Sequence, residues 1–144
     1  MKLVRIELLN PIEDFSQKRV NNMKEKMVNS CIWQSPICIE KNYYLILDGH
    51  HRYNVAKILG FKYIPCESFD YKDKDVLVWS LRDEYLVTKK LVKNRSLNGD
   101  IYPYKTAKHK FPYKIEKCLI PLLDLSKYNK FNSDFVDYKV KGDI

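Results

Sequence analysis

The chain has 144 residues, with 26 lysines and arginines against 18 aspartates and glutamates, a formal net charge of +8, and a composition that is 45% hydrophobic and 31% charged. This is the make-up of one ordinary domain with its own core, which excludes a disordered chain. No apolar run approaches the roughly 20 residues of a membrane span, and the opening MKLVRIELLN lacks a secretory signal, so a cytoplasmic protein with no membrane partner is expected.

Leu3 to Leu9 reads as a first strand, closed at Asn10 and Pro11 because proline confines its predecessor to extended backbone. Asp14 and Gln17 form the acceptor-x-x-Gln pattern of a capping box ahead of Val20, Met23 and Met27, which predicts a first helix ending near Asn29. PICIE (Pro36 to Glu40) and YYLIL (Tyr43 to Leu47) are β-rich runs separated by Lys41 and Asn42, the pattern of a hairpin. From Arg52, RYNVAKILG has Val55, Ala56, Ile58 and Leu59 on an apolar face and ends at Gly60, a second, short helix.

FKYIPC (Phe61 to Cys66) and VLVWSL (Val76 to Leu81) are predicted strands with the charged loop Asp70 to Asp75 between them, and Tyr85 to Asn94 a third helix. Pro103 and Pro112 keep IYPYKTAKHKFP from forming a long helix, and KTAKH within it reads as a solvated basic loop or a ligand-contacting one. The last 30 or so residues show no clean period. Cys31, Cys38, Cys66 and Cys118 contain no CxxC pair and read as small hydrophobes rather than a zinc site or a disulfide framework. The sum is an α/β (α+β) domain with a small mixed sheet flanked by helices.

The segment Leu47 to Arg52, LDGHHR, joins the end of a strand to the start of a helix. Gly49 permits positive φ and close backbone approach, and the free N–H groups of the first helical turn point at whatever lies there. His50 and His51 can donate hydrogen bonds, and Arg52 offers a planar fork for phosphate oxygens. Asp48 would repel a bare phosphate, so its place before the turn points to Mg2+ or a reacting hydroxyl. Zinc on the two histidines would need a third ligand, which the spacing does not supply.

The order of helix, PICIE and YYLILDGHHRYNVAKILGFKYIPC resembles the core of the ParB/sulfiredoxin-like superfamily, with its G-x-H-R phosphate-binding turn. The DGHHR form is most similar to the free L-serine kinases, archaeal enzymes with bacterial siderophore-pathway relatives. A Pro-x-Glu segment before the first helix supplies the catalytic glutamate in those kinases, and Pro11, Ile12 and Glu13 match it. Their K-T-T-R-H substrate motif is similar to Lys105, Thr106, Ala107, Lys108 and His109; lysine at 108 keeps the charge but not the bidentate fork.

The resemblance implies a kinase of free serine that uses ATP or ADP with Mg2+. Glu13 would be the general base and Asp48 would orient the hydroxyl or hold the metal. Gly49, His50, His51 and Arg52 would bind the phosphates, and Lys105, Thr106, Lys108 and His109 the substrate. Residues 1–66 would be the nucleotide-binding core and 67–112 an extension carrying KTAKH, with 113–144 unassigned.

The alternatives are a ParB-like nucleotide-dependent DNA-associated protein or nuclease, which the charge favours but which lacks a following helix-turn-helix, and a kinase of another small hydroxyl metabolite. Nucleic acid is therefore not the expected partner. A sulfiredoxin is strongly disfavoured, because its nucleophilic cysteine would fall at His50 and none of the four cysteines lies in the turn.

Overall fold

The PICIE run forms the axis of the molecule in a computed structural model that describes residues 1–138. All four residues of its strand β3 (Ile37–Glu40) are buried, as expected of a strand covered on both faces. The hairpin partner β4 (Ile46–Asp48) runs antiparallel to it. On its other edge β3 pairs in parallel with β5 (Tyr63–Phe69), which pairs antiparallel with β1 (Lys2–Arg5), and β9 (Phe135–Asp137) closes the far edge against β1. The sheet is mixed and five-stranded, in the order β4-β3-β5-β1-β9.

Alternation along the strands supplies two apolar faces. Ile37, Ile39 and Ile46 point to one side, where α1 (Gln17–Ser30) contributes Val20 and Met27, and α2 (His50–Leu59) contributes Val55 and Ala56. Cys38, Leu45, Leu47 and Phe69 point to the other, against Ile12, Val76, Tyr102 and Val92 of α3 (Lys89–Leu97). A two-stranded antiparallel ribbon, β6 (Leu77–Ser80) with β7 (Ala107–Lys110), lies on this second face. Each fully buried Ile or Val contributes about 1.5–3 kcal/mol, so both faces are needed to hold the sheet.

Several boundaries differ from the sequence expectation, each for a local reason. The first strand stops at Arg5 and Ile6–Leu8 form a 3-10 turn. Helix α1 begins at Gln17 with Ser16 as its cap, the hydroxyl accepting from the Arg19 amide at 3.3 Å. Asp14 lies two residues before that cap, and its carboxylate accepts from the adjacent Phe15 amide at 2.9 Å instead.

The hairpin turn is wider than two residues because the buried Glu40 carboxylate accepts the amides of Asn42 (2.8 Å) and Tyr43 (2.7 Å), which satisfies a charge that burial alone would make costly. Helix α2 starts at His50, not Arg52. Strand β5 runs on to Phe69, through the 66/67 division. Helix α3 begins late, at Lys89, because the Thr88 hydroxyl caps the Leu91 amide at 3.1 Å.

The KTAKH stretch is not a loop: its last three residues open β7. Past it, β8 (Ile120–Pro121) pairs with β2 (Ile32–Trp33), and α4 (Leu122–Lys127) leads to β9. Cys38, Cys66 and Cys118 are buried as expected, whereas Cys31 is exposed. Among the described residues no helix is long and apolar enough to cross a membrane.

Candidate active site

Strand β4 delivers the chain to Asp48 and then to Gly49, which caps α2 at φ +113. The glycine is required twice: a side chain rarely adopts that φ, and an added Cβ would lie 2.8 Å from Ile37 Cβ and closer still to its Cγ2. The backbone thus turns tightly over β3 and leaves the first amides of α2 without intrahelical partners, the arrangement that attracts an anion.

The side chains around this turn are more committed than the motif suggests. His50 is only 8% exposed and its Nε2 accepts the Ile12 amide at 3.1 Å. Burial, with the neighbouring His51 and His109, pushes its pKa down to about 3, so the ring is neutral. His51 Nε2 accepts the Ser16 amide at 3.1 Å, and partial burial and Arg19 lower its pKa as well. Neither Nε2 is therefore free to donate to a ligand. Arg52 is likewise half occupied, its Nη1 donating to the carbonyls of Ser35 (2.8 Å) and Pro36 (2.9 Å) and its Nη2 standing 3.7 Å from Asp48 Oδ2. What this turn presents is chiefly backbone, with Asp48 exposed at its rim.

Glu13 lies in the loop before α1, where Tyr102 pairs with it through a parallel bridge. Its Oε1 accepts the Ala107 amide at 3.2 Å and its Oε2 the Thr106 amide at 3.4 Å. Burial raises its pKa above the ordinary 4.5, against the opposing pull of those amides and of Arg82. Each oxygen keeps a second lone pair, so the carboxylate is oriented yet still able to accept a proton.

The KTAKH residues divide between the cleft and the interior. Lys105, in left-handed backbone at φ +56, and Lys108 both line the same cleft as Glu13. His109 does not: it points inward at 6% exposure, stacks between Tyr71 and Phe111, and bonds the Tyr71 hydroxyl through Nε2 at 2.7 Å. Burial takes its pKa to about 3 despite the Leu47 carbonyl beside it. Thr106 is fully buried with its hydroxyl donating to the Pro103 carbonyl at 2.6 Å. Its contribution to the cleft is the backbone amide on Glu13, not the side chain, and His109 anchors the ribbon instead of reaching a ligand.

A cleft of about 480 Å³ results, walled by the 48–52 turn, Glu13, Arg19, Lys105 and Lys108. Arg19, Tyr104 and Arg82 were not evident from spacing. Arg19 Nη1 donates to the Tyr104 hydroxyl at 3.0 Å, the Tyr104 ring meets His51 edge-on at 5.7 Å, and Arg82 Nη2 holds the Tyr104 carbonyl at 2.7 Å. Arg19 reads as one more charge on an amphipathic helix, and only the tertiary contact reveals it. Among the described residues no cluster of three or more His, Cys, Asp or Glu forms a ready metal cage.

No protein-family model matches the chain. Among curated proteins it is similar to the ATP-dependent L-serine kinase of Staphylothermus marinus, 32% identical over 78 residues that cover 51% of this chain and 31% of that protein. It is similar to the ADP-dependent L-serine kinase SerK of Thermococcus kodakarensis, 32% identical over 81 residues covering 54% and 34%. A ParB-like protein of Sulfolobus acidocaldarius is 40% identical over 72 residues covering 49% and 35%. The chain thus spans about a third of the length of these curated relatives.

Among solved structures, a free serine kinase in complex with AMP superposes with a TM-score of 0.78 at 18% identity, covering 85% of this chain and 92% of that one. C-terminally truncated SbnI from Staphylococcus aureus superposes at 0.76 and 14% identity, covering 92% and 90%. The chain has the fold of these proteins, with the small mixed sheet that was expected.

Proposed function

We propose that this chain transfers the terminal phosphoryl group of ATP or ADP to the hydroxyl of free L-serine, giving O-phospho-L-serine. The observation that carries the reading is the Glu13 carboxylate, oriented by the amides of Thr106 and Ala107 in the same cleft as the Gly49 turn. A kinase of this kind needs little covalent chemistry from the protein: the donor held in line, the developing charge neutralised and a base at the acceptor hydroxyl.

The first amides of α2, opened by Gly49, would take the phosphates, and Arg52 would brace the turn from below through Ser35 and Pro36. As the serine oxygen bonds to the terminal phosphorus, the bond from that phosphorus to the bridging oxygen breaks and leaves ADP from ATP or AMP from ADP. The hydroxyl proton passes to Glu13, which burial makes a better proton acceptor than an exposed glutamate by raising its pKa. Lys105 and Lys108 would meet the carboxylate of serine or the phosphate product. The relatives named as L-serine kinases and the AMP-bound free serine kinase support the reading.

Asp48 suits Mg2+: its carboxylate is exposed at the rim of the phosphate turn, and this ion keeps several waters and binds through one or two carboxylates plus phosphate oxygens rather than in a protein cage. When bound, it would neutralise phosphate charge. A second reading, a ParB-like nucleotide-dependent DNA-associated protein, draws on the net charge of +8 and the 40% identity to the ParB-like relative.

Phosphorus NMR of the purified chain with Mg2+, L-serine and either nucleotide tests the proposal. O-phosphoserine with one donor supports it and names the donor. Bound nucleotide without product from either donor overturns it, and salt-sensitive retention on duplex DNA in the same protein would favour the second reading.

A further inference from the structure

The two adjacent histidines close on opposite ends of one loop. His50 Nε2 accepts from Ile12 and His51 Nε2 from Ser16, each at 3.1 Å, and Glu13 lies between those two residues. The loop's other side is pinned by Tyr102, whose amide donates to the Ile12 carbonyl at 2.9 Å and whose carbonyl accepts from Asp14 at 2.8 Å. Both histidines belong to the first turn of α2, the turn whose amides are proposed to take the phosphates. One helical turn therefore holds the proposed base and the phosphate site at a set separation.

We infer that His50 and His51 are positioning residues: as neutral, Nδ1-protonated rings they clamp the Glu13 loop to the phosphate-binding turn and set the distance between base and transferring phosphate. The inference rests on the kinase reading for its catalytic consequence, but the clamp itself is a matter of hydrogen-bond direction. A backbone amide can only donate, so each Nε2 must be unprotonated and each ring must carry its proton on Nδ1. An unconstrained histidine that merely faced solvent, or one that donated to phosphate through Nε2, would keep a proton on Nε2 at least part of the time; donation through Nδ1 is separated from the clamp by the kinetics below. The clamp also accounts for both members of the pair, since consecutive helical residues point about 100° apart and can reach two ends of a crossing loop.

The chain contains three histidines, so a long-range proton–nitrogen spectrum of the labelled protein at neutral pH resolves each ring. Nδ1–H tautomers for both His50 and His51 are expected, and a protonated Nε2 on either overturns the clamp. Kinetics then separate positioning from ligand binding. His51→Leu should lower kcat for serine phosphorylation by about tenfold to 100-fold, the scale of a misplaced catalytic group. Its Kd for ADP should change less than threefold, and His51→Gln, whose Oε1 can stand where Nε2 stood, should recover most of the rate.

Unchanged kcat in His51→Leu, or a matched loss of ADP affinity that Gln does not rescue, would show that the ring serves the nucleotide rather than the loop. If the unaltered protein makes no phosphoserine, the kinase reading fails on its own, and the tautomer spectrum still decides the clamp.

Discussion

The two walls of the cleft are built in different ways. The wall proposed to take the phosphates is one continuous piece of chain: β4, Gly49 and the first turn of α2 follow within a few residues, seated on β3 through the space that Ile37 leaves only for a glycine. The opposite wall is assembled from distant pieces, because the amides that orient Glu13 come from residues 93 and 94 positions away in the sequence, on a ribbon held to the sheet by buried aromatic and histidine contacts. A local wall is specified by its own turn chemistry and packing. A composite wall is only as good as the docking of its parts, so the two should fail differently when broken.

The largest effect is expected on the local wall. Gly49→Ala forces a side chain into left-handed backbone and against Ile37, and should cost about 2–5 kcal/mol of stability in a urea titration while abolishing measurable nucleotide binding. A mild phenotype would mean that the turn tolerates another backbone path.

Acid should reach both walls, because His50 and His109 sit one on each and are both buried with pKa values near 3. Their folded values lie below the unfolded one of about 6.5, so the stability they contribute is complete above that pH and is lost as pH falls toward 3. Urea midpoints measured between pH 7.5 and 5 should decline by up to about 1.4 kcal/mol per pH unit for each ring once pH is well below 6.5. His109→Phe should remove its share of that slope, since the site already stacks between two aromatic rings.

Smaller again is Tyr71→Phe, which deletes the hydroxyl on His109 and should cost about 1–3 kcal/mol while reducing kcat more than it weakens nucleotide binding, as expected if the ribbon serves Glu13. Equal losses in both would place the ribbon's influence at the phosphate turn instead. The mildest change is Lys108→Ala. It should alter stability by less than about 0.5 kcal/mol, because the side chain is exposed, yet raise KM for serine without affecting the Kd for nucleotide if it meets the substrate as proposed.

The same contrast explains what could be read from the sequence. Strand, glycine and helix along 46–60 announce themselves by local pattern, and the resemblance that the motif carries is matched by a fold shared with free serine kinases. Half of the ribbon, β6, is legible in VLVWSL, but β7 hides because its inward residue is a histidine: KTAKH shows no apolar alternation. By resemblance His109 and Thr106 read as substrate residues, yet their side chains are packed away, and two backbone carbonyls occupy Nη1 of the Arg52 fork.

Hydrogen bonds from backbone amides to Glu13, like those from Ile12 and Ser16 to the histidines, leave no trace in residue identity. Asp14 reads as a cap by spacing alone, but its carboxylate turns to the Phe15 amide and Ser16 caps the helix. The C-terminal strand β9 was illegible for a related reason: three residues at a sheet edge pair by backbone and need no pattern of their own.

The central claim is that the composite wall exists to hold Glu13 as the base opposite the local one, and Glu13→Gln tests it most directly. The substitution keeps the volume and a carbonyl oxygen to accept one of the two amides but cannot take a proton. In parallel, kcat for phosphoserine formation and the Kd for nucleotide should be measured at neutral pH. The account predicts a fall in kcat of about 10²–10⁴-fold with Kd changed less than about threefold. Undiminished turnover, or a loss confined to nucleotide affinity, would contradict it and would move the base elsewhere in the cleft.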